Sequence, residues 1–289
     1  MNAEAHKPMR FFCITQPLLE ATNSVLAAAC EARGINMVMV SPSQFSYTPS
    51  EFPQPGDLLY CAATEVATDR LEKLLWQPGV AAFYDDPLFE CLFPGILFQK
   101  NGIPMPRTVH APTCERATLE THVNLLGGFP VIVKIPGSEG GKGVIRVDSY
   151  AALFSLLDYV GTSPILMEYF EHVVSYRLIV IGDHVVACEA RHAGPGDFRT
   201  NSTGSDSIGA VAAPPAAIEM ALKAAQVLRV EFGGIDILEN QDQKLLLAEL
   251  NFPCYFADQQ RDSGIDIAGA MLDHLIEKSR RLNQHTALI

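Results

Sequence analysis

Three oxygen-bearing side chains, Asp236, Glu249 and Asn251, interrupt two apolar segments in the last quarter of the chain. These segments flank a short polar turn, a pattern that predicts a β-hairpin. Because strand side chains alternate between faces, Glu249 and Asn251 are predicted to share one face, with Asp236 beside them on the partner strand. Two close carboxylates need a cation between them, and hard oxygen ligands suit Mg²⁺ or Mn²⁺. The hairpin is therefore predicted to hold a metal; the alternative is the solvated face of an edge hairpin.

A glycine-rich segment at residues 136–143 follows a predicted strand, residues 129–135, that carries Lys134. Backbone N–H groups of such a segment can surround phosphate oxygens, and the lysine supplies a positive charge for them. The segment lacks the Walker pattern, because Val144 begins a strand and not a helix. It predicts a phosphate-binding loop or, as the alternative, a flexible hairpin tip.

Two polar loops carry arginines whose forked guanidinium groups suit phosphate or carboxylate oxygens. Residues 191–205 contain Arg191 and Arg199, and this loop could also be only a solvated connection. Residues 255–263 are predicted to form a second polar loop with Arg261. Arg261 is predicted either to bind a substrate carboxylate or to form a surface ion pair with a neighbouring aspartate.

Composition limits the classes of protein to be considered. The 289 residues suffice for one large domain or two to three small ones. A net charge of −12 without a basic patch argues against a nucleic-acid partner. Seven cysteines without a Cys-x-x-Cys pair are typical of buried thiols in a reducing cytosol. No segment approaches the roughly 18 apolar residues of a membrane span, so the expectation is a soluble cytoplasmic protein without a signal peptide.

The N-terminal part alternates predicted strands with predicted helices, which indicates a parallel sheet with crossover helices. No G-x-G-x-x-G follows the first strand, so dinucleotide binding is not expected there, and this part is predicted to form a substrate wall. The predicted strands are residues 10–16, 37–40, 58–61 and 80–84, and the helices are residues 18–33 and 65–76.

The remaining chain is predicted to contain shorter helices and several hairpins. A helix over 85–101, kinked at Pro94, precedes a Pro-rich link. Further helices are predicted at residues 114–126, 150–160, 216–228 and 265–282, and further strands at 144–147, 164–170, 176–181 and 184–190. The predicted domains are an α/β domain (1–84), a linker helix and strand (85–110), a small lobe with the phosphate loop (111–165) and a C-terminal lobe with the metal site (166–289).

The order of these motifs resembles the ATP-grasp superfamily of carboxylate–amine ligases over residues 85–280. The similarity is strongest to the branch of ribosomal-protein S6 glutamate ligase and the lysine-biosynthesis ligase acting on 2-aminoadipate. The most specific motif is Gly-Asp-Phe-Arg-Thr-Asn at residues 196–201. Gly-Ile-Asp-Ile-Leu at 234–238, Ala-Glu-Leu-Asn at 248–251 and Gly-Ile-Asp-Ile-Ala-Gly at 264–269 also match.

The resemblance implies an α/β ATP-grasp fold behind an N-terminal parallel-sheet domain. It implies ATP and two Mg²⁺ (or Mn²⁺) ions as cofactors, and an ADP-forming C–N ligase that makes amides through an acyl phosphate. The implied substrates are a small-molecule carboxylate and an amine, on an amino acid or a peptide; a homo-oligomer is left open. The implied metal ligands are Asp236, Glu249 and Asn251, and the implied catalytic residues are Arg191, Arg199 and Asn201. The implied nucleotide contacts are Lys134, Gly137, Ser138, Gly140, Gly141, Lys142, Gly143, Glu168, Tyr169, Phe170 and Ser175.

Three features depart from the family pattern. Ser175 stands where the family commonly has a nucleotide-contacting Asp, and Asp85-Asp86 lacks the lysine that often follows the Asp near this position, a charge that Lys142 could supply. The loop after Asn251 matches neither named ligase, which leaves the substrates open.

Because of these departures, two alternatives to a carboxylate–amine ligase acting on an amino acid remain open. One is a catalytically impaired ATP-binding protein, and the other is a natural-product peptide-tailoring ligase with a non-amino-acid carboxylate. No Ser–His–Asp or Cys–His set is legible. Cys188 and Cys254 are therefore expected to be buried thiols and not nucleophiles.

Overall fold

The computed structural model describes residues 8–16, 19–45, 48–87, 94–110, 112, 114–135, 141–160, 163–200 and 206–286. Within these ranges the strands form three sheets, of three, four and five strands. None of the helices there is long and apolar enough to cross a membrane.

The first sheet is the predicted parallel sheet. Its strand order is β2-β1-β3, and each pairing is parallel. The strands are β1 (Arg10–Ile14), β2 (Asn36–Val40) and β3 (Leu58–Cys61), and the helices are α1 (Glu20–Ala32) and α2 (Val66–Leu75). β3 is buried at every position, as expected for a strand covered on both faces.

The predicted fourth strand at residues 80–84 is wrong. This segment is buried, but it makes only an isolated bridge between Ala81 and Leu58. Two residues later the carbonyl of Phe83 accepts from the amide of Glu231 at 2.8 Å. The segment therefore leaves the first sheet because its next backbone partner lies beside the five-stranded sheet.

The four-stranded sheet is antiparallel, with the order β4-β7-β5-β6. Its strands are β4 (Thr108–His110), β5 (Val131–Lys134), β6 (Val144–Val147) and β7 (Ile165–Glu168). The helices α4 (Arg116–Leu125) and α5 (Tyr150–Val160) bury Leu119 and Leu153 against it. Glu115 caps α4, because its carboxylate accepts from the amides of Ala117 and Thr118.

The five-stranded sheet is also antiparallel, with the order β10-β9-β8-β11-β12. Its strands are β8 (Val174–Ile181), β9 (His184–His192), β10 (Asp206–Ala210), β11 (Phe232–Glu239) and β12 (Leu245–Asn251). The predicted hairpins β8–β9 and β11–β12 are both present, whereas β10 is not recognisable in the sequence. The helices α3 (Pro94–Lys100) and α6 (Pro215–Val227) contribute to one core with this sheet.

Two predictions about helices need correction. The predicted helix over 85–101 begins too early, since residues 85–87 are not helical, and α3 covers Pro94–Lys100; residues 88–93 lie outside the described residues, so the kink predicted at Pro94 stays a prediction. The predicted polar loop at 255–263 contains a helix, α7 (Ala257–Ser263), which ends at Gly264 with a φ of 72°. The polar sequence of this segment did not indicate that one side of the helix, formed by Ala257 and Gln259, is buried.

The last helix, α8 (Ile267–Thr286), ties the first sheet to the five-stranded sheet. Met271 and Leu275 are fully buried in one cluster with Phe11 of β1 and Phe232 of β11. Lys278, also buried, donates to the carbonyl of Tyr84 and to the Glu231 carboxylate. The N-terminal sheet and the C-terminal helix therefore share a core.

Candidate functional site

A cavity of about 920 Å³ is lined by both antiparallel sheets and by loop residues that follow β1 and β3 of the first sheet. Twelve of the predicted site residues line it: Lys134, Gly141, Gly143, Glu168, Tyr169, Phe170, Ser175, Arg191, Arg199, Asp236, Glu249 and Asn251. Lys142 and Arg261 are not part of its wall. Gly137, Ser138, Gly140 and Asn201 lie outside the described residues.

The hairpin β11–β12 brings its oxygen-bearing side chains together as predicted. Glu249 lies directly opposite Asp236, and Asn251 lies opposite Gly234, so the three side chains share one face. The Asn251 side-chain nitrogen donates to Asp236 Oδ2 at 3.3 Å. The register shifts after this pair, which leaves Ala248 as the extra residue of a β-bulge that the sequence did not reveal.

A row of charged residues crosses four strands at this level of the five-stranded sheet. Arg177 of β8 lies opposite Asp236, and Glu189 of β9 lies opposite Arg177. The Arg177 Nη1 atom lies 3.1 Å from Asp236 Oδ2, and the charge of Asp236 raises the pKa of Arg177 against the effect of burial. Sequence reasoning missed Arg177 and Glu189. Their signal was present, since both interrupt apolar strands in the way that Asp236 does.

Arg191 is held beside this row by Glu189. Its Nε and Nη2 atoms each lie 3.0 Å from a different carboxylate oxygen of Glu189. Burial would raise the pKa of Glu189, but hydrogen bonds from Arg191 and from the Ser207 hydroxyl outweigh it, and the pKa is lowered. The carboxylate of Glu189 is therefore ionised, and it fixes Arg191 at the cavity wall.

Arg199 connects the glycine-rich loop to the five-stranded half of the molecule. Its Nη1 atom donates to the carbonyl of Gly141 at 3.0 Å, and its Nε and Nη2 atoms contact the Asp197 carboxylate. The neighbouring Phe198 ring packs edge-on against Tyr169. This arginine thus joins Gly141 to Asp197.

Residues 168–170, which the family resemblance implies as nucleotide contacts, lie beside cationic side chains. Arg107 donates to both carboxylate oxygens of Glu168, at 2.8 and 3.0 Å. This hydrogen bonding lowers the pKa of Glu168 against a smaller effect of burial. The Arg146 guanidinium lies over the Tyr169 ring, 4.8 Å from its centroid. Glu168 is consequently engaged with Arg107 at the cavity wall.

Residues 94–275, more than half of the chain, match the protein family described as a RimK-like ATP-grasp domain. The chain belongs to the RimK-like ATP-grasp family.

Relatives and solved structures agree with this family. The chain is 31% identical over 194 residues to a probable alpha-L-glutamate ligase of Shewanella halifaxensis, covering 65% of this chain and 41% of the relative. It is 31% identical over 183 residues to a ribosomal protein bS6--L-glutamate ligase of Shigella boydii serotype 4, covering 61% of this chain and 59% of the relative. The chain thus spans about half the length of these relatives.

The fold is similar to that of the ATP-grasp ligase PsnB, solved with a phosphomimetic variant of its minimal precursor, Mg and ADP. The TM-score is 0.72 at 17% identity, over 93% of this chain and 98% of that one. The predicted ATP-grasp fold is therefore confirmed.

Three residues considered in the sequence of this RimK-like protein supply no reactive group to the cavity: Arg261, Cys188 and Cys254. Arg261 is exposed, and it lies 2.5 Å from Asp258 and 2.8 Å from Asp262, the surface ion pair that was its alternative role. Cys188 and Cys254 are buried free thiols, as expected. Burial raises the pKa of Cys254 to about 12, so its thiol is protonated at neutral pH.

The first sheet contributes a wall at the carboxyl end of β3, as predicted. Residues 62–65 line the cavity together with Gln16, whose side-chain nitrogen contacts the Glu65 carboxylate. Glu72 stabilises the start of this wall, because its carboxyl oxygen Oε1 accepts from the amide of Cys61 at 2.9 Å. Burial raises the pKa of Glu72 to about 8.

Proposed function

We propose that this protein is an ATP-dependent carboxylate–amine ligase that forms an amide or peptide bond and releases ADP. The observation that carries the proposal is the placement of a carboxylate pair and three basic side chains on one cavity. Asp236 and Glu249 face the same space as Lys134, Arg191 and Arg199. Phosphoryl transfer needs this combination, because its catalysis consists mostly of positioning and charge neutralisation.

The donor set of the hairpin fits Mg²⁺ or Mn²⁺. Among the described residues no three His, Cys, Asp or Glu side chains cluster, so the third protein ligand would be the amide of Asn251. Its nitrogen faces Asp236, and a half-turn of the amide would present the oxygen that a hard cation prefers. Asp236, Glu249 and Asn251 would hold the ions, and the ions would supply positive charge that offsets the charge developing during phosphoryl transfer.

The basic side chains take distinct parts in the proposed reaction. Lys134 orients the phosphates near the glycine-rich loop, and Arg191 and Arg199 neutralise the γ-phosphoryl group. The substrate carboxylate attacks the γ-phosphorus, the bond to the β–γ bridging oxygen breaks, and ADP leaves. The amine nitrogen then attacks the acyl carbon, phosphate leaves, and the nitrogen loses a proton.

We propose an amino acid or peptide as the substrate class. The relatives are named for glutamate and for a ribosomal protein, and PsnB is described with a peptide precursor, which supports this class without specifying a member. The wall formed by residues 62–65 lines the same cavity as the metal hairpin and could contact a second substrate. We therefore propose this wall as the region that selects the substrate.

A second candidate, a catalytically impaired ATP-binding protein, is favoured by one observation. Ser175 is buried and lines the cavity at the position where the family commonly has Asp. A hydroxyl can replace one hydrogen bond of that carboxylate but not its charge. This candidate predicts nucleotide binding without turnover.

The test is ADP release over pairs of amino acids, peptides and carboxylates, with product mass measured in the same samples. The ligase predicts ADP release only with a matching pair, together with a product that has lost one water relative to the two substrates. Glu249→Ala serves as the inactive control. Tight nucleotide binding with no release for any pair would favour the impaired protein.

A further inference from the structure

Arg177 lies in a mostly buried position beside Asp236, one of the two proposed metal-binding carboxylates. Its side chain is 22% exposed, and its Nη1 atom contacts both oxygens of Asp236, at 3.1 and 3.3 Å. The backbone carbonyl of Arg177 also accepts from the Gln259 side chain. Asp236 is thus already paired with a fixed positive charge.

Gly234 provides the space for this guanidinium. A Cβ atom at Gly234 would lie 2.9 Å from Arg177 Nη2, closer than Cβ atoms normally approach, and 3.2 Å from its Nε, so the guanidinium would have to shift. The same Cβ would lie 3.1 Å from the Cβ of Cys254. Gly234 lies opposite Asn251 and two residues before Asp236, so the guanidinium lies beside the proposed metal ligands, at the floor of the proposed metal site.

The charges around this floor have a consequence for cation binding. Arg177, Asp236 and Glu249 together carry one net negative charge, while Glu189 and Arg191 neutralise each other. A divalent cation beside Asp236 would be repelled by a guanidinium only a few ångströms away, and such repulsion is strong where solvent is partly excluded. The phosphates of a nucleotide would supply the missing negative charge.

We infer that Arg177 is a positioning residue that holds Asp236 toward the cavity and makes tight binding of a divalent cation depend on bound nucleotide. This inference rests on the proposed function. It assigns Arg177 an effect that a purely structural ion pair lacks: removing its charge strengthens cation binding in the absence of nucleotide. The ligase would then take up its metal with the nucleotide and not before it.

The test is Mn²⁺ binding to the full-length chain, measured by titration calorimetry without nucleotide and with a non-hydrolysable ATP analogue. Without nucleotide, Arg177→Gln is expected to bind Mn²⁺ about tenfold more tightly than the wild type, a difference of ~1.4 kcal/mol. Arg177→Lys, which keeps the charge, is expected to match the wild type. Arg10→Gln is the matched control, since it breaks a comparably buried ion pair, with Asp57, that does not line this cavity.

Equal or weaker Mn²⁺ binding by a folded Arg177→Gln variant would overturn the inference. If this variant does not fold, the wild type decides, because its affinity for Mn²⁺ must rise at least about tenfold with the ATP analogue. An unchanged wild-type affinity overturns the inference as well. Because these are binding measurements, they are separate from turnover: expected Mn²⁺ behaviour without any ADP release would reject the ligase and keep the role of Arg177.

Discussion

Asp236 and Glu249 are predicted to be equally necessary for turnover but unequal in their effect on stability. Asp236→Ala removes the partner of Arg177, whose side chain is 22% exposed, from a site where Asp236 itself is 20% exposed. Leaving a mostly buried guanidinium without its carboxylate costs about 2–4 kcal/mol, somewhat less than for a fully buried pair. For a chain of this size that corresponds to a fall in Tm on the order of 10 °C.

Glu249→Ala is the matched comparison, because Glu249 is exposed and lies directly opposite Asp236. Its removal takes away a like charge beside Asp236 and leaves the contact between Arg177 and Asp236 in place. We expect a stability change within about 0.5 kcal/mol, as for ordinary surface positions.

Thermal unfolding and ADP release on the same preparations provide the assay. Both variants should lose turnover, while only Asp236→Ala should lose stability. A wild-type Tm for Asp236→Ala, or an equal loss for Glu249→Ala, would refute the account of the Arg177 contact. Full turnover by Glu249→Ala at limiting Mg²⁺ would reject the metal site itself.

Three further predictions concern the loop and the wall. Lys134→Ala should weaken ATP binding more than AMP binding, because its charge acts on the outer phosphates; equal losses measured by calorimetry would give Lys134 another role. Amides of residues 137–143 should gain hydrogen-exchange protection with an ATP analogue and Mg²⁺, and unchanged exchange would argue against a phosphate loop. Glu72 has a folded-state pKa raised to about 8 by burial, so the stability linked to its protonated form is complete below the unfolded pKa of about 4.5 and is lost as pH rises to about 8. Urea unfolding should therefore show Glu72→Gln gaining stability relative to wild type between pH 5 and pH 8. A stability difference between the two proteins that does not change with pH would contradict the raised pKa of Glu72.

Local pattern was sufficient for the parts of the site that lie within one hairpin or one loop. Alternation along β11 and β12 placed Asp236, Glu249 and Asn251 on one face, because a strand has a period of two residues whatever surrounds it. Gly141, Gly143 and Arg199, which line the cavity, likewise stand in short motifs that the sequence shows directly, while residues 136–140 and Asn201 lie outside the described residues. The parallel sheet at the N-terminus followed from the alternation of apolar strands and helices.

Contacts between distant segments required the tertiary structure. Arg177 meets Asp236 from a strand 59 residues away, and sequence alone does not state which strands pair or in which register. The segment 80–84 has a strand-like sequence, yet the carbonyl of Phe83 accepts from the amide of Glu231 and not from a strand of the first sheet. Residues 257–263 form a helix although most of them are polar, because Ala, Gln and Arg favour a helical backbone and because Ala257 and Gln259 are buried. Short-range periodicity thus determined which side chains could do chemistry, and long-range pairing determined which charges surround them.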